Sequence, residues 1–144
     1  NNKKMDIHLL AIDDDPSFLL FLKVGLQNIC RLTTAQNLKE AFALVEADGI
    51  DMILLDVGLG EESGLEALKR IKGQKPTVDV IMISGYKDPK MIVEAIRSGA
   101  ADYLTKPFEM EELVAVLEKL RPVRSMRERR DALCHLKRNG AQAV

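Results

Sequence analysis

Leu9-Leu10-Ala11-Ile12-Asp13-Asp14 and Met52-Ile53-Leu54-Leu55-Asp56 are two short apolar runs that stop on carboxylates. Two more follow the same plan: Val80-Ile81-Met82-Ile83 stops on Ser84, and Tyr103-Leu104-Thr105 stops on Lys106-Pro107. A short run of Ile, Val and Leu bounded by turn-forming residues predicts a strand buried on both faces, the pattern of a parallel sheet. Open α/β sheets bind their ligands outside the carboxyl ends of the strands. The runs therefore aim three carboxylates, a hydroxyl and an ammonium at one candidate site.

Helical patterns alternate with these strands, which predicts βα units and a sheet covered on both sides. The first strand spans about 7–12, and Pro16 suits the first turn of a helix carrying Phe18, Leu19, Leu22 and Leu26 on its inner face. A second strand is expected over 31–35. Asn37 then caps a helix with Leu38, Ala41, Phe42 and Val45 on its buried stripe. After Asp56, the loop Gly58-Leu59-Gly60-Glu61-Glu62-Ser63-Gly64 leads to a helix bearing Leu65, Leu68 and Ile71. The fourth helix begins near Pro89 and stops at Gly99, and the last runs from about Glu109 with Leu113, Val116, Leu117 and Leu120 inside. Five strands and five helices result.

The chain of 144 residues has a net charge of -1, which gives no global argument for nucleic acid or an anionic surface. No apolar run approaches the roughly 20 residues of a membrane span, so no membrane partner and a cytoplasmic location are expected. Cys30 and Cys134 lack metal or redox spacing and read as reduced structural thiols, and His8 and His135 are isolated. From Arg121 the chain turns basic: Arg121, Arg124, Arg127, Arg129, Arg130, Lys137 and Arg138 face only Glu128 and Asp131. The expected layout is an N-terminal extension over 1–5, one domain over 6–121 and a basic linker helix or tail over 122–144. That tail has no aromatic residue for stacking on bases, so direct nucleic-acid binding is not expected of it.

Paired acids after one strand and a further acid ending another supply what a hard divalent cation needs, oxygen ligands on separate rigid elements. An open acidic cluster of this kind favours Mg2+, which keeps waters and shares carboxylate with phosphate oxygens. Clustered carboxylates repel, so at least one should hold its proton more tightly than usual. Acids at a helix start are common, and Asp13-Asp14-Asp15 alone could be such a start. Asp56 is harder to dismiss, because a carboxylate ending an apolar strand is costly without a nearby cation or water. Lys106 can neutralise a phosphoryl oxygen across such a site, with Pro107 fixing the loop, including through a cis bond.

The ordered set Asp13-Asp14, Asp56, Ser84 and Lys106-Pro107 resembles the receiver domain of two-component response regulators over roughly residues 6–120. The likeness extends to Gly64-Leu65-Glu66 and to Gly99-Ala100-Ala101-Asp102-Tyr103-Leu104-Thr105-Lys106-Pro107-Phe108. It implies a doubly wound, flavodoxin-like (βα)5 fold with a five-stranded parallel sheet in the order 2-1-3-4-5. It further implies that Asp56 accepts a phosphoryl group from a sensor histidine kinase, a phosphotransfer protein or a small phosphodonor. Asp14, Asp56 and the Gly58 carbonyl would bind Mg2+, with Asp13 acting mainly through water. Ser84 and Lys106 would hold phosphoryl oxygens, and Ser84 with Tyr103 would form the switch. The chain would then be a regulatory phosphoacceptor rather than an enzyme acting on other substrates.

The resemblance also implies an output domain outside this chain, with transcription regulation one such output. A homodimer through the fourth helix, fifth strand and fifth helix is a candidate assembly. The last helix, however, lacks the arginine that one large DNA-binding branch uses in its salt-bridged dimer. Gly60 stands where many members have Pro, predicting a more mobile loop, and Tyr86 is expected to shield the phosphoaspartate from water. Two alternatives share some of these residues. A haloacid-dehalogenase-like phosphatase would use Asp13 as nucleophile and Asp15 as acid/base, leaving Asp56 without a role. A phosphorylation-independent interaction module of the same fold usually loses an acid or the lysine, and this chain keeps both.

Overall fold

The computed structural model describes residues 4–47, 49–59, 63–85 and 88–121. The elements alternate as β1 (His8–Ile12), α1 (Pro16–Leu26), β2 (Arg31–Ala35), α2 (Leu38–Glu46), β3 (Met52–Asp56), α3 (Gly64–Gln74), β4 (Asp79–Ser84), α4 (Pro89–Arg97) and β5 (Asp102–Thr105). A last helix, α5, covers 110–121. All five strands are parallel, in the order β2-β1-β3-β4-β5. This is the doubly wound, flavodoxin-like sheet expected from the sequence. The basic tail, Gly60 and Tyr86 fall outside the described residues.

The central strands β3 and β4 are buried along their whole length, whereas edge strand β2 is only partly covered. Alternation then sorts the apolar side chains between two faces. Leu10, Ile12, Ile53, Leu55, Val80 and Met82 join Ala41, Val45, Leu68, Ile71 and Ala95 from α2, α3 and α4 in one core cluster. Leu9, Ala11, Leu54, Ile81 and Ile83 alternate with them and are equally buried, as are Leu19, Leu22 and Leu26 of α1.

Local chemistry starts and stops the helices where the sequence indicates. Asp15 caps α1 by accepting the Ser17 N–H, with Pro16 at the first helical position. Asn37, Ser63 and Asp88 cap α2, α3 and α4 in the same way. Gly99 follows α4 at φ 106°, a left-handed conformation in which a side chain would be strained. Gly64 is required for another reason: a Cβ there would lie 2.6 Å from Val57 Cα and 2.8 Å from the Val57 oxygen. That close approach sets the start of α3 against the backbone of the residue that follows β3.

Two aromatics depart from the expected buried stripes. Phe42 is half-buried and lies under the Arg70 guanidinium, 4.0 Å from ring centroid to Cζ. Phe18 is half-buried at the start of α1, near the carboxyl end of the sheet, where charged groups replace the core. The chain divides into two compact units, Asn1–Met110 and Glu111–Val144. In the second, Leu113, Leu117 and Leu120 are buried at helical spacing, whereas Val116 is half-buried. Among the described residues, no helix is long and apolar enough to cross a membrane.

Candidate functional site

Strand register alone brings the acids together. Ile12 pairs with Leu55, so the next residues, Asp13 and Asp56, leave the sheet side by side. Ser84 ends β4 opposite Thr105, and Lys106 follows directly. Backbone bonds extend this edge: the Asp13 N–H donates to the Ala35 carbonyl, the Val57 N–H to Ile83 and the Lys106 N–H to Ser84, at 3.1, 2.8 and 2.7 Å. The peptide joining Lys106 to Pro107 is cis. Every strand-end residue singled out in the sequence thus lies along one edge.

The side chains converge further. The Lys106 Nζ donates to Asp13 Oδ2 at 2.6 Å and stands 3.8 Å from Asp56 Oδ2. Asp13 is 1% exposed, and its other oxygen accepts the Asp15 N–H at 2.9 Å. Asp56 Oδ1 accepts the Gly58 N–H at 3.1 Å. Asp14 is exposed, yet one ligating oxygen from each of Asp13, Asp14 and Asp56 lies within 4.8 Å of the others. Ser84 is buried at the same edge, and Tyr103, two residues before Thr105, is half-buried against the core.

Burial is the main reason that the Asp56 carboxyl holds its proton above the usual carboxylate range. The Gly58 N–H opposes this, Asp13 adds to it, Lys106 opposes it and Asp14 adds again. The proton affinity expected of clustered carboxylates therefore rises on Asp56, the residue that ends an apolar strand.

These oxygens suit a small hard cation. Two ligands of one Mg2+ ion can be no more than about 4.2 Å apart, given a metal–oxygen distance of about 2.1 Å. The three oxygens need only a small adjustment from their present separations. Both Asp13 oxygens already accept a hydrogen bond, whereas Asp14 is open to solvent. The donor set thus favours Asp14 and Asp56 as direct ligands.

Residues 9–118 match the family described as the response regulator receiver domain. The chain belongs to the response regulator receiver family. This receiver is 34% identical over 128 residues to the probable C4-dicarboxylate response regulator DctR of Bacillus subtilis, covering 87% of this chain and 57% of DctR. It is 33% identical to the chemotaxis protein CheY of Listeria monocytogenes, covering 78% of this chain and 97% of CheY. A solved response regulator from Burkholderia pseudomallei, bearing a phosphorylated aspartic acid and a calcium ion, superposes with a TM-score of 0.73 at 30% identity. That match covers 85% of this receiver and 73% of the solved chain. This receiver therefore spans little more than half the length of DctR but nearly all of CheY. Receiver domains are regulatory switches, and response-regulator signalling is the setting in which this one belongs.

One neighbour of the site was not singled out as functional in the sequence. Phe18 presents its ring to Lys106, with the Nζ 4.1 Å from the ring centroid. The available signal was positional: an aromatic in the first turn of the helix that directly follows the acids. Its helical spacing with Leu22 marked it instead as core.

Proposed function

We propose that this receiver takes a phosphoryl group on Asp56 from a phosphohistidine of a sensor kinase or phosphotransfer protein, and uses it to change a docking surface. The observation that carries the reading is the Lys106 ammonium, 2.6 Å from Asp13 and 3.8 Å from Asp56. It provides a cation for the charge that phosphorylation brings to a buried carboxylate. In the transfer, an Asp56 oxygen attacks phosphorus, the new O–P bond forms and the N–P bond to imidazole breaks. The imidazole nitrogen leaves with the bonding pair and is protonated. Lys106 neutralises one phosphoryl oxygen, and the Ser84 hydroxyl donates to another. Asp14, Asp56 and the Gly58 carbonyl would hold Mg2+, with Asp13 acting through water, and the ion would supply further charge neutralisation. Positioning and electrostatics then account for most of the catalysis.

The new dianion rewards an inward position of Ser84, and Tyr103 is the neighbouring side chain able to follow it. The altered surface includes α4 and β5 and either contacts a second copy or controls an output domain outside residues 6–121. Transcription control fits that reading, given the 35% identity over 120 residues to the transcriptional regulatory protein KdpE of Staphylococcus aureus. Asp15 argues against the phosphatase alternative: its carboxylate caps α1 through the Ser17 N–H at 3.0 Å, so it is committed as a helix cap.

The test is intact mass after incubation with Mg2+ and acetyl phosphate. One added phosphoryl group on the wild type, absent from Asp56→Asn, is expected. An adduct retained by Asp56→Asn would overturn the assignment. No adduct on the wild type from either acetyl phosphate or phosphoramidate would overturn self-phosphorylation.

A further inference from the structure

The Lys106 ammonium touches a third group besides its two carboxylates, the face of the Phe18 ring at 4.1 Å. That ring is itself held. Phe108 meets it nearly edge-on, with centroids 5.9 Å apart and planes at 83°, and Phe21 lies 6.1 Å away. Both segments that bring charge to the site thus also bring a ring: Phe18 follows the acids of β1, and Phe108 stands two residues beyond Lys106. Together with Pro107, these residues line a cavity of about 480 Å³ beside the ammonium.

We propose that Phe18 is a positioning residue for Lys106, holding its ammonium at the carboxylate cluster through the negative face of the ring. The inference rests on the phosphoacceptor reading of Asp56. A lysine stem has many rotamers, its ammonium is strongly hydrated, and this side chain keeps 25% of its surface exposed. A way out to water is therefore open. Asp13 alone is an unsuitable anchor, because the carboxylate that holds Lys106 is itself a member of the acidic cluster at which a cation would sit. The Phe18 ring attracts a cation without ligating a metal and adds no net charge to an already repulsive cluster. It keeps Lys106 nearby as the ammonium turns from Asp13 toward an oxygen on Asp56.

The experiment uses the full chain with Phe18 replaced by mono-, di- and trifluorophenylalanine, which weaken the ring quadrupole while nearly preserving its shape. Phosphorylation by acetyl phosphate at saturating Mg2+ should slow with each fluorine, reaching about fivefold, or ~1 kcal/mol at about 1.4 kcal/mol per decade. Phe18→Leu should lose as much, and Phe18→Tyr should recover most of the rate. The Lys106 Cε protons should be shifted upfield by the ring in the wild type and lose that shift in Phe18→Leu. Unchanged unfolding midpoints across the fluorinated series would assign the rate loss to the quadrupole. A rate indifferent to fluorine content, or a Tyr variant no better than Leu, would overturn the proposal. A wild type that takes no phosphoryl group from acetyl phosphate or phosphoramidate overturns self-phosphorylation before any variant is made, and this inference, which concerns the rate of that reaction, falls with it.

Discussion

Replacing Asp56 with Asn should stabilise this receiver in the absence of divalent cations. The Asp13 and Asp56 oxygens lie within 4.8 Å of each other, so at an effective dielectric constant of about 20 they repel by about 3.5 kcal/mol or more. Asp14 is exposed, and the same separation at the dielectric constant of water adds only about 1 kcal/mol. Against them stands Lys106, 3.8 Å from Asp56, whose attraction is about 4.4 kcal/mol at the dielectric constant used for the Asp13 pair. These contributions nearly cancel. The burial of Asp56 then decides the sign, while an Asn oxygen can still accept the Gly58 N–H. The expected gain is about 1–3 kcal/mol at neutral pH.

The pH dependence follows from the same cause. A carboxyl whose folded pKa is raised favours folding in acid, and that contribution is lost as pH rises through the folded value. The advantage of Asp56→Asn should therefore be absent well below the ordinary carboxylate range and grow as pH rises through the folded Asp56 pKa. Mg2+ at about 100 times its dissociation constant should stabilise the wild type by about 2.7 kcal/mol. The Asn variant loses a ligand, so the gap should narrow or invert. Urea denaturation of both proteins across pH, with and without Mg2+, measures each step. An Asn variant less stable than wild type at neutral pH without metal, or a gap that is flat with pH, would refute the reasoning.

Gly64→Ala should destabilise by about 1–3 kcal/mol, since its new Cβ meets the Val57 backbone, while Gly73→Ala in α3 has open space and should stabilise by about 0.5–1 kcal/mol. Chemical denaturation of the pair separates close approach from backbone entropy. His8 should titrate below its usual 6.5, chiefly through burial and secondarily through Arg31, as read by NMR of its ring. Stability should correspondingly fall as pH drops through 6.5, where the unfolded chain takes up the proton first. Burial also pushes the Cys30 thiol up to about 11. In a Cys134→Ser background, Cys30 should resist thiol reagents at pH 8 until denaturant is added, and rapid native-state labelling would contradict that.

Much of the site was legible in the chain because strand ends are legible. Short apolar runs such as Ile53-Leu54-Leu55, bounded by turn-forming residues and alternating with helical patterns, read as buried strands, and in a parallel sheet their terminal residues emerge at one edge. Caps and breakers at Asp15, Pro16, Asn37 and Gly99 set the helices between them, so the order of elements needed no long-range information. The relations among those ends were a different matter. That Asp13 is the partner of Lys106 and is buried while Asp14 is exposed depends on strand register and on the turn closed by the Asp15 N–H. That Gly64 must be glycine depends on the distance to Val57. Phe18 looked like core because helical periodicity records which face turns inward, without saying what stands there. Sequence by itself determined which groups arrive at the carboxyl edge, through periodicity and local turn chemistry. Only the tertiary structure decided which of them touch, because contacts between residues 93 positions apart, such as Asp13 and Lys106, arise from the packing of strands rather than from any local preference.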